Sequence, residues 1–268
     1  MPATWKKTDM TVQLPHTMRL AFHGYGSPED HQVDMARLRP TERKYVELFR
    51  NPERRQASAA ARIAGHKVLD SLGCNHVSVL PDDHGAPEVL SIHDGTTVET
   101  VGISLTHRKG VAAAVVSADP ESLAIGIDIE DPNPSLLKTL DDFFTESEQS
   151  EIRALKPVHA VQRATAIWAA REATLKAIGL GFAVPARCVD VHIIDETTGT
   201  AKVHNIDEFP SDIQVELRFG TIDGMTLCVA WITSHSLQQL RNRRPSPRRT
   251  FAWTGIQKTF SIIQEERT

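Results

Sequence analysis

The chain has 268 residues, of which 40% are apolar and 24% charged, and its 30 basic and 34 acidic side chains leave a formal charge of −4. The length fits one large domain or two small ones, the composition excludes wholesale disorder, and the charge argues against a dedicated nucleic-acid binder, which carries a basic footprint. No apolar run reaches the ~20 residues that cross a membrane. Polar residues and prolines break up the N-terminal stretch that a signal peptide keeps apolar, and Cys74, Cys188 and Cys228 form no CxxC pair. The expectation is a soluble, reduced, cytoplasmic protein with neither a disulfide framework nor a cysteine zinc site.

A strand is expected over Met18–Phe22. A helix then starts within Leu38–Arg43 with Thr41 as its cap, and a second enters at Pro52 and stops at Gly73. Val77–Leu80 reads as a short strand and 82–87 as a turn. Gly102–Leu105 and Val111–Val116 read as strands joined by a turn at 107–110. Ala124–Glu130 alternates, with Ile125, Ile127 and Ile129 on one face and Gly126, Asp128 and Glu130 on the other. Thr145 and Glu148 have capping-box spacing and open a helix to about Leu155. A longer helix covers Ala160–Ile178, and strands follow at Val189–Ile194, Ile213–Phe219 and Met225–Ile232. The tail from His235 gathers Arg241, Arg243, Arg244, Arg248 and Arg249 around two prolines, the composition of a mobile extension.

The order of elements repeats. Each half has a helix start at Thr-Glu, an Ala-rich helix ending in Gly, and then strands. Ala61–Lys67 parallels Ala170–Lys176, which sets Ile63 opposite Glu172. Two similar α+β halves are expected.

Three groups could carry chemistry. Asp128 and Glu130 share a strand face with α-carbons about 6.5–7 Å apart, where two carboxylates repel unless a cation lies between them. Hard oxygen donors in an incomplete cage suit Mg²⁺, although a solvated strand face is the plainer reading of any Asp-x-Glu. Trp168, Glu172 and Lys176 share one helix face and add a carboxylate and a cation, or merely a surface ion pair worth about 0.2–0.5 kcal/mol. His107 ends a strand beside Arg108 and Lys109 and could bind an anion.

In order, these motifs are Thr106-His107, Gly126-Ile127-Asp128-Ile129-Glu130, Phe143-Phe144-Thr145-Glu146-Ser147-Glu148 and Trp168-x-x-Arg171-Glu172-Ala173-x-x-Lys176. That series resembles the 4′-phosphopantetheinyl transferases, in particular the long, pseudo-dimeric type that includes the surfactin-synthetase activator, over residues 35–235. The resemblance implies an α+β fold of two similar α/β halves forming an intramolecular pseudo-dimer. Residues 1–118 and 119–235 would be the halves and 236–268 the tail. It implies transfer of the phosphopantetheine arm of coenzyme A to a serine of an apo acyl or peptidyl carrier protein, with release of 3′,5′-ADP.

By the same resemblance, Asp128, Glu130 and Glu172 bind Mg²⁺, with Mn²⁺ as the alternative ion. Glu172, or a metal-bound water, takes the serine proton. Lys176 sits on the phosphate under attack, and Thr106 and His107 hold coenzyme A phosphate. Arg62 is a further, looser match to a coenzyme A contact, and Arg171 stands where the family more often has Lys. Ala86 fills a Gly-x-Pro motif where many members carry a basic residue. One active site per chain, in a monomer binding neither nucleic acid nor membrane, completes the expectation. Two readings compete with it: a Mg²⁺-dependent glycosyltransferase or phosphohydrolase built on Asp128 and Glu130, and a decayed transferase that only binds carrier proteins.

Overall fold

The computed structural model describes residues 12–26, 35–119, 124–180, 184–204, 206 and 213–232. In chain order the elements are β1 (Met18–Gly24), α1 (Pro40–Glu47), α2 (Pro52–Ser71), β2 (Val77–Pro81), β3 (Pro87–Ser91), β4 (Gly102–Arg108), β5 (Val111–Ser117) and β6 (Ile125–Glu130). Then come α3 (Leu140–Phe143), α4 (Glu146–Arg153), α5 (Pro157–Ala177), β7 (Val189–Ile193), β8 (Thr198–Val203), β9 (Ile213–Ile222) and β10 (Met225–Ile232). The Arg-rich tail lies outside the described residues.

Among the described strands every pairing is antiparallel. One sheet runs β1-β5-β4, a second runs β6-β10-β9-β8-β7, and β2 pairs with β3 as a hairpin. The chain is thus a mixed α and β protein without the doubly wound parallel sheet of nucleotide-sugar enzymes. The glycosyltransferase reading is not favoured.

Alternation along the strands builds the layers. On β5, Ala114 and Val116 turn to α2, where they meet Ala64, Val68 and Leu69. Val111, Ala113 and Val115 turn the other way, onto Ile125, Ile127, Ile129, Leu227, Val229 and Trp231 of the second sheet. On β10, Cys228, Ala230 and Ile232 face α5. The stack is therefore helix, sheet, sheet, helix, and its middle layer of side chains comes from both sheets. β5 and β6 are buried on both faces, so the face of β6 expected to be wet is covered instead.

That cover is α5, and Gly126 sets how closely it lies. A Cβ at Gly126 would fall 1.9 Å from the carbonyl oxygen of Ala173 and 2.8 Å from the nitrogen of Ala177. Only glycine lets strand and helix backbones approach so closely.

The β2–β3 hairpin and the second sheet are each tied to helices by a buried glutamate. Glu42, in the first turn of α1, accepts from the Arg39 amide at 3.0 Å and the Val79 amide at 2.6 Å, and His66 of α2 lies 2.8 Å from it. Glu148, in the first turn of α4, accepts from the Thr145 amide at 2.9 Å and the Val191 amide at 2.9 Å, and pairs with Arg171 of α5. Glu42 rather than Thr41 therefore stabilises the start of α1, because its carboxylate reaches back to the orphan amide of Arg39.

The two clamps also correct the alignment of the halves. α2 and α5 both begin on a proline, Pro52 and Pro157, and His66 and Arg171 stand at the same distance from it. This register places Lys67, not Ile63, opposite Glu172. The second long helix starts three residues earlier than expected, at Pro157, because proline suits the first helical position.

Replacing Gly126 by Ala should destabilise the protein by at least the ~1–3 kcal/mol typical of overpacking, since the colliding atoms are backbone that cannot rotate away. A lowered urea midpoint at constant slope is the expected result.

Candidate active site

β6 is the last strand of its sheet, so one of its edges has no ladder partner. Side chains satisfy it instead. The Ile127 amide donates to Ser104 Oγ at 3.2 Å, and the Ile127 carbonyl accepts from Lys176 Nζ at 2.9 Å. One residue further on, Asp128 is 4% exposed. Its Oδ1 accepts from Lys176 Nζ at 2.6 Å and from Thr106 Oγ1 at 3.1 Å. Its Oδ2 is buried and has no hydrogen-bond partner among the described residues.

Two more carboxylates act on the same spot. Glu130 follows on β6, with Arg108 Nη2 at 3.2 Å. Glu172 sits on α5, one turn before Lys176. Burial, and then the Asp128 charge, push Glu130 up to about 7, against the pull of Arg108. The same two causes, in the same order, push Glu172 up to about 7, against the pull of Lys176. Asp128 raises both glutamates and Glu130 also raises Glu172, so these acids repel across a shared space.

His107 leaves β4 beside this space. Withdrawal from water lowers its pKa, and the positive charges of Lys176, Arg54 and Arg108 lower it further than Asp128 raises it. The lowered pKa favours the neutral imidazole, which lies in a cationic rim suited to an anion. Arg108 and Lys109 are held there by Asp131, at 2.9 and 3.1 Å from its Oδ2. Glu172 also lines a cavity of about 370 Å³, walled by Phe143, Trp168, Leu175, Val184 and Pro185. Phe143 and Trp168 meet edge to face, with ring centroids 5.4 Å apart. A cationic rim therefore borders the acids, and an apolar pocket reaches Glu172.

Asp128, Glu130, Glu172, Lys176, Thr106 and His107 are brought together as the sequence implied. Arg62 and Arg171 are not, and both are corrected here. Arg62 is 6% exposed; its guanidinium donates to the Val79 carbonyl at 3.0 Å and to Ser58 Oγ at 2.7 Å, and stacks on Tyr45. Arg171 has no exposed surface, pairs with Glu148 and reaches the Val189 carbonyl at 3.2 Å. Both guanidiniums are thus engaged by buried carbonyls, a hydroxyl or a carboxylate, which gives each a structural role. Thr106 is 6% exposed, and its hydroxyl points to Asp128 rather than outward. Arg54, in the first turn of α2, was missed. Its signal was the Arg54-Arg55 pair in the first turn after the Asn51 cap, whose Arg54 charge is felt at His107.

Among the described residues no three His, Cys, Asp or Glu side chains close into a ready metal cage. The donors nonetheless fit a hard divalent cation. All are carboxylate oxygens, one buried oxygen of Asp128 lacks a partner, and the acids repel as if short of positive charge.

Residues 124–230 match the model of the 4′-phosphopantetheinyl transferase superfamily, and residues 50–117 match that of the 4′-phosphopantetheinyl transferase N-terminal domain. Together they cover well over half of the chain. A 4′-phosphopantetheinyl transferase of Bacillus subtilis is 25% identical over 139 residues, which is 52% of this chain and 55% of that protein. The match thus spans about half the length of that relative. The chain belongs to the 4′-phosphopantetheinyl transferase superfamily and carries the N-terminal part typical of its long type.

Two outcomes follow. Glu130 and Glu172 hold protons more tightly in the fold than in the unfolded chain, whose ordinary value is 4.5. Their contribution to stability is complete below that value and is lost as pH rises through about 7. Metal-free protein should therefore melt at a lower temperature near pH 8 than near pH 6, and Glu172→Gln should flatten that slope. Arg171→Ala should cost about 3–5 kcal/mol by chemical unfolding, because it strands Glu148 as a buried charge.

Proposed function

We propose that the chain transfers the 4′-phosphopantetheine arm of coenzyme A to a serine of an apo acyl or peptidyl carrier protein and releases 3′,5′-ADP. The observation that carries this reading is the meeting of Asp128, Glu130 and Glu172 beside a cationic rim and an apolar pocket, on a chain of this superfamily. Coenzyme A offers matching parts. Its 3′-phosphate suits His107, Arg54 and Arg108. Its diphosphate suits the space before the three acids and Lys176. Its uncharged pantetheine arm suits the pocket walled by Phe143 and Trp168.

Asp128, Glu130 and Glu172 would hold Mg²⁺, with Mn²⁺ able to replace it. When bound, that ion neutralises the diphosphate and makes 3′,5′-ADP a better leaving group. The serine oxygen attacks the phosphorus that carries the pantetheine arm, and the bond from that phosphorus to the bridging oxygen breaks, leaving both electrons on 3′,5′-ADP. Glu172 takes the serine proton, and a carboxylate poised near neutrality is well matched to that task. Lys176 stabilises the charge on the phosphate oxygens, held in place by Asp128 and the Ile127 carbonyl.

The halves 1–118 and 119–235 read as a fused pseudo-dimer. β1, α1, α2 and β2–β5 follow the same order as β6, α4, α5 and β7–β10. In the first half Lys67 stands where Glu172 stands in the second, and its amine donates to the Phe22 carbonyl at 2.8 Å. A cation in place of a carboxylate cannot help to bind another cation. One site per chain and a monomer, working in the cytoplasm, follow from this reading.

The test is intact-mass analysis of a panel of apo carrier proteins incubated with the enzyme, coenzyme A and Mg²⁺. A carrier should gain one phosphopantetheine, and Glu172→Ala or a chelator should abolish the gain. Coenzyme A binding without transfer to any carrier would leave only a binding module. No binding at all would overturn the proposal.

A further inference from the structure

The resemblance assigns Thr106 to coenzyme A phosphate, but its surroundings assign it differently. Its side chain is 6% exposed, on the face of β4 that packs against β6. Its hydroxyl donates to Asp128 Oδ1 at 3.1 Å. Ser104, two residues earlier and so on the same face of β4, accepts from the Ile127 amide. These two hydroxyls fasten β4 to β6 from the first half of the chain.

We propose that Thr106 is a positioning residue: it fixes the Asp128 carboxylate so that Oδ2 is left for the divalent cation. The inference rests on the metal site proposed above. Asp128 faces two other carboxylates, and nothing in its own backbone fixes the rotation of its terminal group. Left alone, it would turn away from Glu130 and Glu172. Thr106 and Lys176 both engage Oδ1, from opposite halves of the chain, and that shared engagement leaves Oδ2 buried and without a partner among the described residues. Lys176 supplies charge but sits at the end of a flexible stem. Thr106 is β-branched on a buried strand, so its hydroxyl direction is set by the backbone. A ligand held by such an outer partner loses affinity by about 10–100-fold when the partner is removed.

The experiment titrates Mn²⁺ by electron paramagnetic resonance, with and without coenzyme A, into the full-length wild type, Thr106→Val and Thr106→Ser. Metal-free coenzyme A affinity is measured alongside. Thr106→Val keeps the shape and removes the hydroxyl; it should weaken Mn²⁺ by about tenfold or more while metal-free coenzyme A affinity stays unchanged. Thr106→Ser should restore most of the loss. Unchanged Mn²⁺ affinity in Thr106→Val overturns the proposal, and a fall in coenzyme A affinity instead would return the hydroxyl to the phosphate. Failure of the wild type to bind Mn²⁺ under either condition would overturn the metal reading itself. Should Thr106→Val not fold, Thr106→Ala takes its place. If neither folds while Thr106→Ser does, the hydroxyl serves folding rather than positioning, and the proposal falls.

Discussion

Two backbones meet closely at Gly126 of β6 and Ala173 of α5, where there is no room for a methyl group. Much else depends on that contact. It lays α5 flat on β6, so that Glu172 and Lys176 reach over the strand edge to Asp128. A helix held further off by a side chain would carry the same residues and fail to bring them together. The opposite side of α5 is fixed by Arg171, which ties the helix to Glu148 and to the carbonyl of Val189. Gly126 sets the distance and Arg171 sets the rotation, and between them the functional residues have little freedom left.

The clamp is built twice. Glu42 and Glu148 both sit in the first turn of a short helix, both accept from a strand amide, and both meet a side chain from the long helix. The chemistry is not repeated with them. The clamps resemble each other, whereas Asp128, Glu130 and Glu172 gather only beside the second of them.

Elements whose signals are local were legible in the sequence. The capping box at Thr145 and Glu148, the prolines that open helices and the glycines that close them placed α2, α4 and α5 to within a few residues. β3 and β8 were missed, being short and paired only with neighbours. The acids of the site were legible because alternation on β6 and the helical spacing of Glu172 and Lys176 survive folding. Burial was not. Arg62 and Arg171 read as ligand contacts from their charge, yet each is consumed by carbonyls or a carboxylate from another element. The second task of Glu148, holding the Val191 amide, depends on a strand more than forty positions away and left no local mark.

The boundary between the halves is a boundary in the repeat but not in the packing. Val111, Ala113 and Val115 of β5 are buried by Ile127, Leu227 and Val229 of the other half. A chain cut between β5 and β6 would bare an oily sheet face on each fragment. The two sheets share that apolar layer, so they belong to one cooperative unit rather than to two independent folding domains.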